Sequence, residues 1–492
     1  LEMNKVNHIY LILWMIVISL GMFQFGYGNA SFSNLQQVLF FQYQDAKGEV
    51  ISTQKNFNSV VTTAVPAGAA IGAFTGGFFT PLGRRPAIMI TNVIIVAGVG
   101  VTMIFNFYAL IIGRILFGYG IGVMTVLTPL FISETSPVEV AGPMGSLSQI
   151  MVTVGIMIAY MFGFLAPIRY LDKEGDPEMN PDVLTTQSWR IIFAVPAAIS
   201  IFQTLMLLVV FRYDTPKFYQ QKGDRDMIKA VNAVIYKEKS GEEQSENLVQ
   251  NEDDNAERVT LGEMFGSVYR YVLIIGSLLA MFQQMTGINM VIFYSNVIFT
   301  QGLDEGYTAE TKARIGTIIV GVVNLAATVV AIPLLAKFGR KILMLSGHFM
   351  MTVSLAVLGV FAITGFSTGT IIFTLVFIAF FEIGVGSILF LYLAEIMPEA
   401  GLSIPSGICW VFTIIIGLIT PNLFDWLKAT GVYFVFTGIN FVGILFILFL
   451  IKETKGKSKI ELESLYTQKR RNYQSLPEEQ LNSSERPMST DL

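Results

Sequence analysis

The sequence predicts an all-α membrane protein with twelve transmembrane helices in two six-helix bundles, and three observations lead there. The first is composition. Of 492 residues, 53% are hydrophobic and 14% charged, with a mean hydropathy of +0.60, whereas charged residues make up about 25% of a soluble domain. The second is a series of apolar runs of about 20 residues, the length that crosses about 30 Å of hydrocarbon. In lipid every backbone polar group must be satisfied internally, so each run reads as a helix. The third is repetition between the two halves of the chain. The formal net charge of -4 is scattered over loops and tails, and it implies no nucleic-acid partner.

The runs fall near 9–30, 58–79, 86–105, 107–132, 144–166 and 189–211, then near 270–300, 315–336, 341–363, 370–394, 403–421 and 430–451. The domain limits that follow are 1–212 for the first bundle, 213–269 for a linker, 270–452 for the second bundle and 453–492 for a tail. Leu1 is not a natural start, and the run after Val6 lacks a small-residue cleavage pattern, so it reads as the first span rather than a signal peptide. The linker carries EEQSEN at 242–247 and NEDDN at 251–255, charge that forbids membrane burial and predicts short amphipathic helices beside a disordered stretch. The tail turns basic at Lys469, Arg470 and Arg471 and then Ser- and Glu-rich, which predicts a solvated, disordered segment. Cys409 is the single cysteine, so no internal disulfide forms.

Lys5, Arg84, Arg85, Arg340, Lys341, the linker and the tail fall on one side of the spans. Lys47, Lys55, Lys173, Lys312 and Lys428 fall on the other. Basic loops stay cytoplasmic, so both termini are expected inside. The plasma membrane is the expected location, with an organelle membrane as the alternative. The sequons at 29–31 and 482–484 then lie in a span and in the tail, so neither is expected to carry sugar.

PLGRRPAIM at 81–89 matches KFGRKILM at 337–344, each in the turn between the second and third spans of its half. FISETSP at 131–137 echoes YLAEIMP at 392–398, each closing the fourth span of its half. Two six-helix repeats related by an axis along the membrane normal form an architecture in which substrate sits at the midplane between rocking halves.

With these motifs, QFGY at 24–27, GRILFG at 113–118, WR at 189–190, QQMTGIN at 283–289 and FFEIG at 380–384 occur in order along the spans. Together they resemble the sugar porter family of the major facilitator superfamily, and within it the facilitative hexose transporters. The resemblance covers nearly the whole chain and implies a glucose-like monosaccharide as substrate and alternating access as mechanism.

A hexose presents hydroxyls that donate and accept, so its site needs uncharged amides and hydroxyls with an aromatic against the ring face. Gln283, Gln284 and Asn289 flank Gly287, which can interrupt the seventh span as cavity-lining helices are often interrupted. Gln149, Asn324 and Glu382 add polar groups inside the fifth, eighth and tenth spans. The matching positions of similar transporters contact sugar. The bland alternative is that these amides only bridge helices, at about 0.6 kcal/mol each. The resemblance also implies that Phe293 and Tyr294 form an outer gate and that Phe390 stands where the family often carries a tryptophan against the sugar. Gly384 and Gly386 persist in the tenth span, but Val385, Ser387 and Leu389 replace alternating prolines, which predicts a stiffer gating break. Trp410 aligns with the family's eleventh-span tryptophan only across a gap.

Family symporters carry an aspartate after the FGY of the first span, close to the arginine that corresponds to Arg114. Gly28 occupies that place here, and the first span has no acid at all, so a uniporter is expected and a proton-coupled symporter is the alternative. The resemblance further implies a cytoplasmic latch of Arg84, Arg85, Arg340 and Lys341 against Glu134 and Glu395. Thr80, Ala336 and Ala141 replace polar or charged latch members, the turn after Glu395 is short, and DTPK at 214–217 stands in place of a PESPR pattern. Exposed pairs contribute about 0.2 to 1 kcal/mol each, so losing two or three is expected to tilt the resting protein toward inward-open by up to roughly tenfold. A non-transporting sugar sensor is a second alternative. No nucleophile, base and orienter cluster, metal-ligand spacing or phosphate loop is legible, so neither an enzyme nor any cofactor or metal is expected. The expected partners are a sugar and the bilayer, for which a monomer suffices.

Overall fold

The computed structural model describes residues 6–47, 53–137, 140–170, 179–237, 259–300, 307–457, 461–462 and 465–466. The acidic runs of the linker, the basic end of the tail and the second sequon lie outside them. The first bundle is built from His8–Ala30, Gln54–Gly76, Arg84–Thr102, Phe107–Thr135, Ala141–Phe162 and Ser188–Val209. In the second, the seventh span is split into Arg270–Gln284 and Ile288–Thr300, followed by Tyr307–Phe338 and Arg340–Thr364. The tenth span joins Ser367–Phe381 to Ser387–Ile396 through the π turn Glu382–Gly386. The last two expected spans share one continuous helix assignment, Ser403–Leu450, turned at Lys428, whose φ of 55° and ψ of 177° leave the helical region. Eleven uninterrupted apolar segments therefore hold twelve crossings.

Local chemistry sets several of these ends. Thr53 and Asn106 cap the second and fourth spans by accepting from Asn56 N and from Tyr108 N and Ala109 N. Between the bundles, Thr215 caps the helix Pro216–Lys222, which Gly223 ends at φ 70°. Arg225–Ile235 follows, with Asp224 as its cap.

Spans associate in lipid through close packing of small residues rather than through a hydrophobic driving force. A Cβ on Gly68 or Gly118 would lie 1.9 Å from Ile115 O or 2.1 Å from Val65 O, so the second and fourth spans touch backbone to backbone. The bundles meet along two seams, the second span on the eleventh and the fifth on the eighth. Across them Gly417 faces Thr63, Gly407 faces Phe74, and Gly321 faces Met157. Many large apolar side chains on the outside, among them Val93, Ile363 and Phe449, are exposed where lipid would cover them.

The described residues at the start of the tail, 453–457, 461–462 and 465–466, pack on the second bundle. Glu453 and Thr454 bond to the second bundle, and Tyr466 is buried against Tyr392, whose hydroxyl lies 2.8 Å from its own. The sequence missed this because the burial depends on a non-local partner.

Candidate functional site

The seventh span breaks at Met285–Gly287, and Gly287 has φ 102°, a conformation L side chains rarely adopt. Asn440 of the twelfth span donates to Thr286 O at 3.0 Å and so satisfies a carbonyl that the break frees. The break turns three amides to one point. Asn289 Nδ2 donates to Gln284 Oε1 at 2.5 Å, Gln284 Nε2 to Gln283 Oε1 at 2.9 Å, and Thr413 Oγ1 to Gln284 Oε1 at 3.2 Å. All four residues are buried. Cys409 lies against the same cluster, its Sγ 3.9 Å from Gln283 Oε1.

A second polar cluster spans the seam between bundles. Gln149 Nε2 donates across it to Glu382 Oε2 at 3.0 Å, and the Thr328 hydroxyl lies 3.1 Å from the same oxygen. Asn324 is wholly buried, and neither its Oδ1 nor its Nδ2 has a hydrogen-bond partner. An orphaned amide in hydrocarbon costs free energy that a ligand hydroxyl would recover. Phe390 is partly buried and packs on the apolar core; Trp410 of the eleventh span packs across the seam on the first bundle. Its centroid lies 4.8 Å from that of Phe25, and its Nε1 donates to Thr125 Oγ1 at 3.4 Å. Thr413 and Thr328 escaped sequence reading because single hydroxyls in apolar runs carry no periodic signal, and Trp410 aligns with a family tryptophan only across a gap.

Phe293 and Tyr294 lie in the second segment of the seventh span, on the side opposite the termini. Tyr294 leaves the helical region and its hydroxyl donates to Gly417 O at 2.8 Å. Gln36 of the first bundle donates to Phe293 O at 3.0 Å, and Tyr160 to Ile292 O at 3.0 Å. On this same side Arg314 of the eighth span is buried and reaches across to Ala166 O at 2.5 Å and Pro167 O at 2.8 Å, paired with Glu310 at 2.9 Å. Lys55 and Asp425 form a further pair across the seam.

On the terminus side the latch is only partly as expected. Arg84 pairs with Glu134 at 2.6 Å and Arg340 with Glu395 at 2.5 Å, each within its own bundle. Arg85 and Lys341 instead donate to Leu207 O and Leu448 O. The sequence missed the carboxylates that complete each half. Asp214 accepts from the backbone of Arg84 and Arg85, both at 3.2 Å, and Glu453 from that of Arg340 and Lys341, both at 2.9 Å. The hydroxyl of the next residue, Thr215 or Thr454, donates at 2.6 Å to Glu134 or Glu395. The two halves thus repeat one network of a carboxylate at a helix N-terminus, where the dipole favours it. Gly83 (φ 102°) and Gly339 (φ 88°) make room for it, since a Cβ would lie 2.5 Å from Asp214 Oδ2 or 2.8 Å from the Glu453 carboxyl.

The tenth span breaks although its alternating prolines are replaced. It breaks at the π turn, where Gly384 has φ -93° and ψ -118° and Gly386 completes the turn. Gly384 lies against Gly347 of the ninth span, a Cβ on it falling 3.0 Å from Gly347 Cα, so the two helices approach backbone to backbone at the break. Glu382 sits at this break.

Two repeated six-helix bundles with uncharged polar groups buried at a broken-helix seam define a multi-pass membrane transporter of the major facilitator fold. The chain belongs to the sugar transporter family, whose description, "Sugar (and other) transporter", matches residues 14–466. It is 29% identical to Hexose transporter 1 of Plasmodium falciparum (isolate 3D7) over 457 residues, covering 88% of each chain. It is 28% identical to glucose transporter GlcP of Staphylococcus epidermidis (strain ATCC 12228 / FDA PCI 1200), covering 91% of this chain and 95% of that one. Among solved structures it resembles the proton:xylose symporter XylE bound to 6-bromo-6-deoxy-D-glucose, with a TM-score of 0.79 and 26% identity over 94% of this chain and 100% of that one.

Proposed function

We propose that the protein carries a glucose-like hexose down its gradient by alternating access, with both termini in the cytoplasm, and that sugar binds between the two polar clusters. The observation that carries this reading is the set of hydrogen-bonding groups left over there. Both polar atoms of buried Asn324 are unpartnered, and the amide triad and Glu382 bring donors and acceptors to the same seam. Hydroxyls that donate and accept complement such a set. The names of the relatives, hexose and glucose transporters, support the substrate class. Phe293 and Tyr294 serve as the outer gate, and the bonds of Gln36, Tyr160 and Arg314 across the seam belong to an outward-closed arrangement. The paired networks around Arg84 and Arg340 hold the cytoplasmic ends of each bundle rigid so that the bundles rock as bodies.

Uniport follows from the first span. Gly28 packs against Phe117 and Ile121, where a Cβ would fall 2.7 Å and 2.8 Å from their side chains, and no acidic residue occurs in His8–Ala30. Proton coupling is the second reading, favoured by one observation: the buried Glu382 carboxylate bridges the bundles through Gln149. Uptake of radiolabelled glucose and fructose into liposomes, with and without a pH gradient, separates the two. Saturable equilibration indifferent to the gradient is expected. Accumulation driven by inward protons would replace the uniport reading with symport, and no uptake of either sugar would remove the hexose reading.

A further inference from the structure

A different arrangement lies inside the first bundle, away from the polar seam. Arg114, about two turns from the outer end of the fourth span, is 3% exposed. Its Nε donates to Val61 O at 3.0 Å, and its guanidinium carbon lies 5.3 Å from the Phe32 ring and 5.1 Å from the Phe193 ring. Among the described residues that is the full set of its partners: the ion pairs belong to other cations, and neither terminal nitrogen donates to a protein acceptor. Burying a cation without a counter-charge is strongly unfavourable in a low-dielectric interior. The facing first span, His8–Ala30, carries no acidic residue.

Arg114 lines a cavity of about 10 Å³ together with Tyr27, Ser31, Thr102 and Phe117. That is room for a single particle about the size of a water molecule. Three of the lining residues, Tyr27, Ser31 and Thr102, carry hydroxyls. Those of Tyr27, Ser31 and Thr102 now donate to Ile192 O, Gly28 O and Gly98 O, and each can turn inward.

We infer that this cavity is a binding site for a monatomic anion, a halide, which supplies the counter-charge of Arg114. A halide accepts from the free guanidinium N–H groups and from the hydroxyls and cancels the buried charge, whereas gluconate and sulfate are too large for the cavity. The bound anion ties the outer ends of the first, third, fourth and sixth spans, so it acts within the first bundle and is independent of which sugar is carried.

The test is thermal unfolding of the full-length protein in nanodiscs, followed by tryptophan fluorescence, with gluconate replaced by chloride or bromide at constant ionic strength. The expected result is a saturable rise in Tm of about 2 °C or more, as for any ligand that binds only the folded state. Arg114→Gln is expected to abolish the dependence. Should that variant not fold, Thr102→Val is expected to shift the halide midpoint upward while keeping the response. Crystals grown in bromide are expected to show an anomalous peak beside the Arg114 guanidinium. Equal Tm in gluconate and halide, an equal rise with sulfate, a halide response that survives Arg114→Gln, or a non-anomalous water at the peak would each overturn the inference.

Discussion

At the scale of single residues, the economy of hydrogen bonds in the amide triad decides what the site can hold. Gln284 is used on both ends, accepting from Asn289 and Thr413 and donating to Gln283. It therefore orients its neighbours, while the amide nitrogen of Gln283 and the carbonyl of Asn289 remain for a ligand. The double variant Gln283→Ala with Asn289→Ala is expected to lower sugar affinity roughly 30- to 100-fold, from two or three lost bonds of about 1 kcal/mol each. Titration of the purified protein by calorimetry would measure it, and unchanged binding would refute the proposed site. The residue types were legible in the sequence because amides in apolar runs stand out. Their division into orienting and ligand-facing groups was not, because it depends on Thr413 from a span more than 120 residues away.

At the scale of elements, the paired carboxylates show one device under two conditions. Burial pushes the Asp214 carboxyl above its usual range, although the N–H groups of Thr215, Arg85 and Arg84 pull against it. Burial acts on Glu453 in the same direction, but four backbone N–H groups, from Lys455, Arg340, Lys341 and Thr454, together outweigh it and hold the carboxyl below its usual range. The signs are therefore opposite. A carboxyl with a lowered folded pKa stabilises the fold above its unfolded value and loses that contribution as pH falls through the folded one; a raised carboxyl favours the fold more as pH falls. Acidification through and below the ordinary carboxylate range, about pH 5 to 3, is expected to loosen the amides of Arg340 and Lys341 while those of Arg84 and Arg85 keep their protection. Hydrogen exchange, corrected for its intrinsic pH dependence, reads this directly, and parallel loss at both sites would contradict it. The GRR and GRK turns were visible as a repeat; their acceptors were not, because Asp214 lies 130 positions beyond Arg84.

At the scale of the whole molecule, the two seams carry different chemistry at their two ends. On the side away from the termini, buried Arg314 and the amide of Gln36 grip the opposing bundle's backbone. On the terminus side the strong pairs stay within bundles. Closure at the far side thus depends on a few charge-assisted bonds, and Arg314→Met is expected to raise the far-side-open population roughly tenfold or more. In a Cys409→Ala background, the labelling rate of a cysteine introduced at Ser59 would report it, and an unchanged rate would remove Arg314 from the closure.

The sequence by itself determined the helical class, the number of crossings, the repeat and the polar residue types of the site. Those properties follow from hydrocarbon thickness and the cost of bare peptide groups in lipid, which act on each span separately. Only the tertiary structure decided that Trp410 packs across the seam on Phe25 and Thr125, that the tenth span breaks at Gly384 without proline, and that Arg85 and Lys341 bind backbone. These outcomes are settled by contacts between spans distant in sequence, where a few ångströms of packing choose the partner.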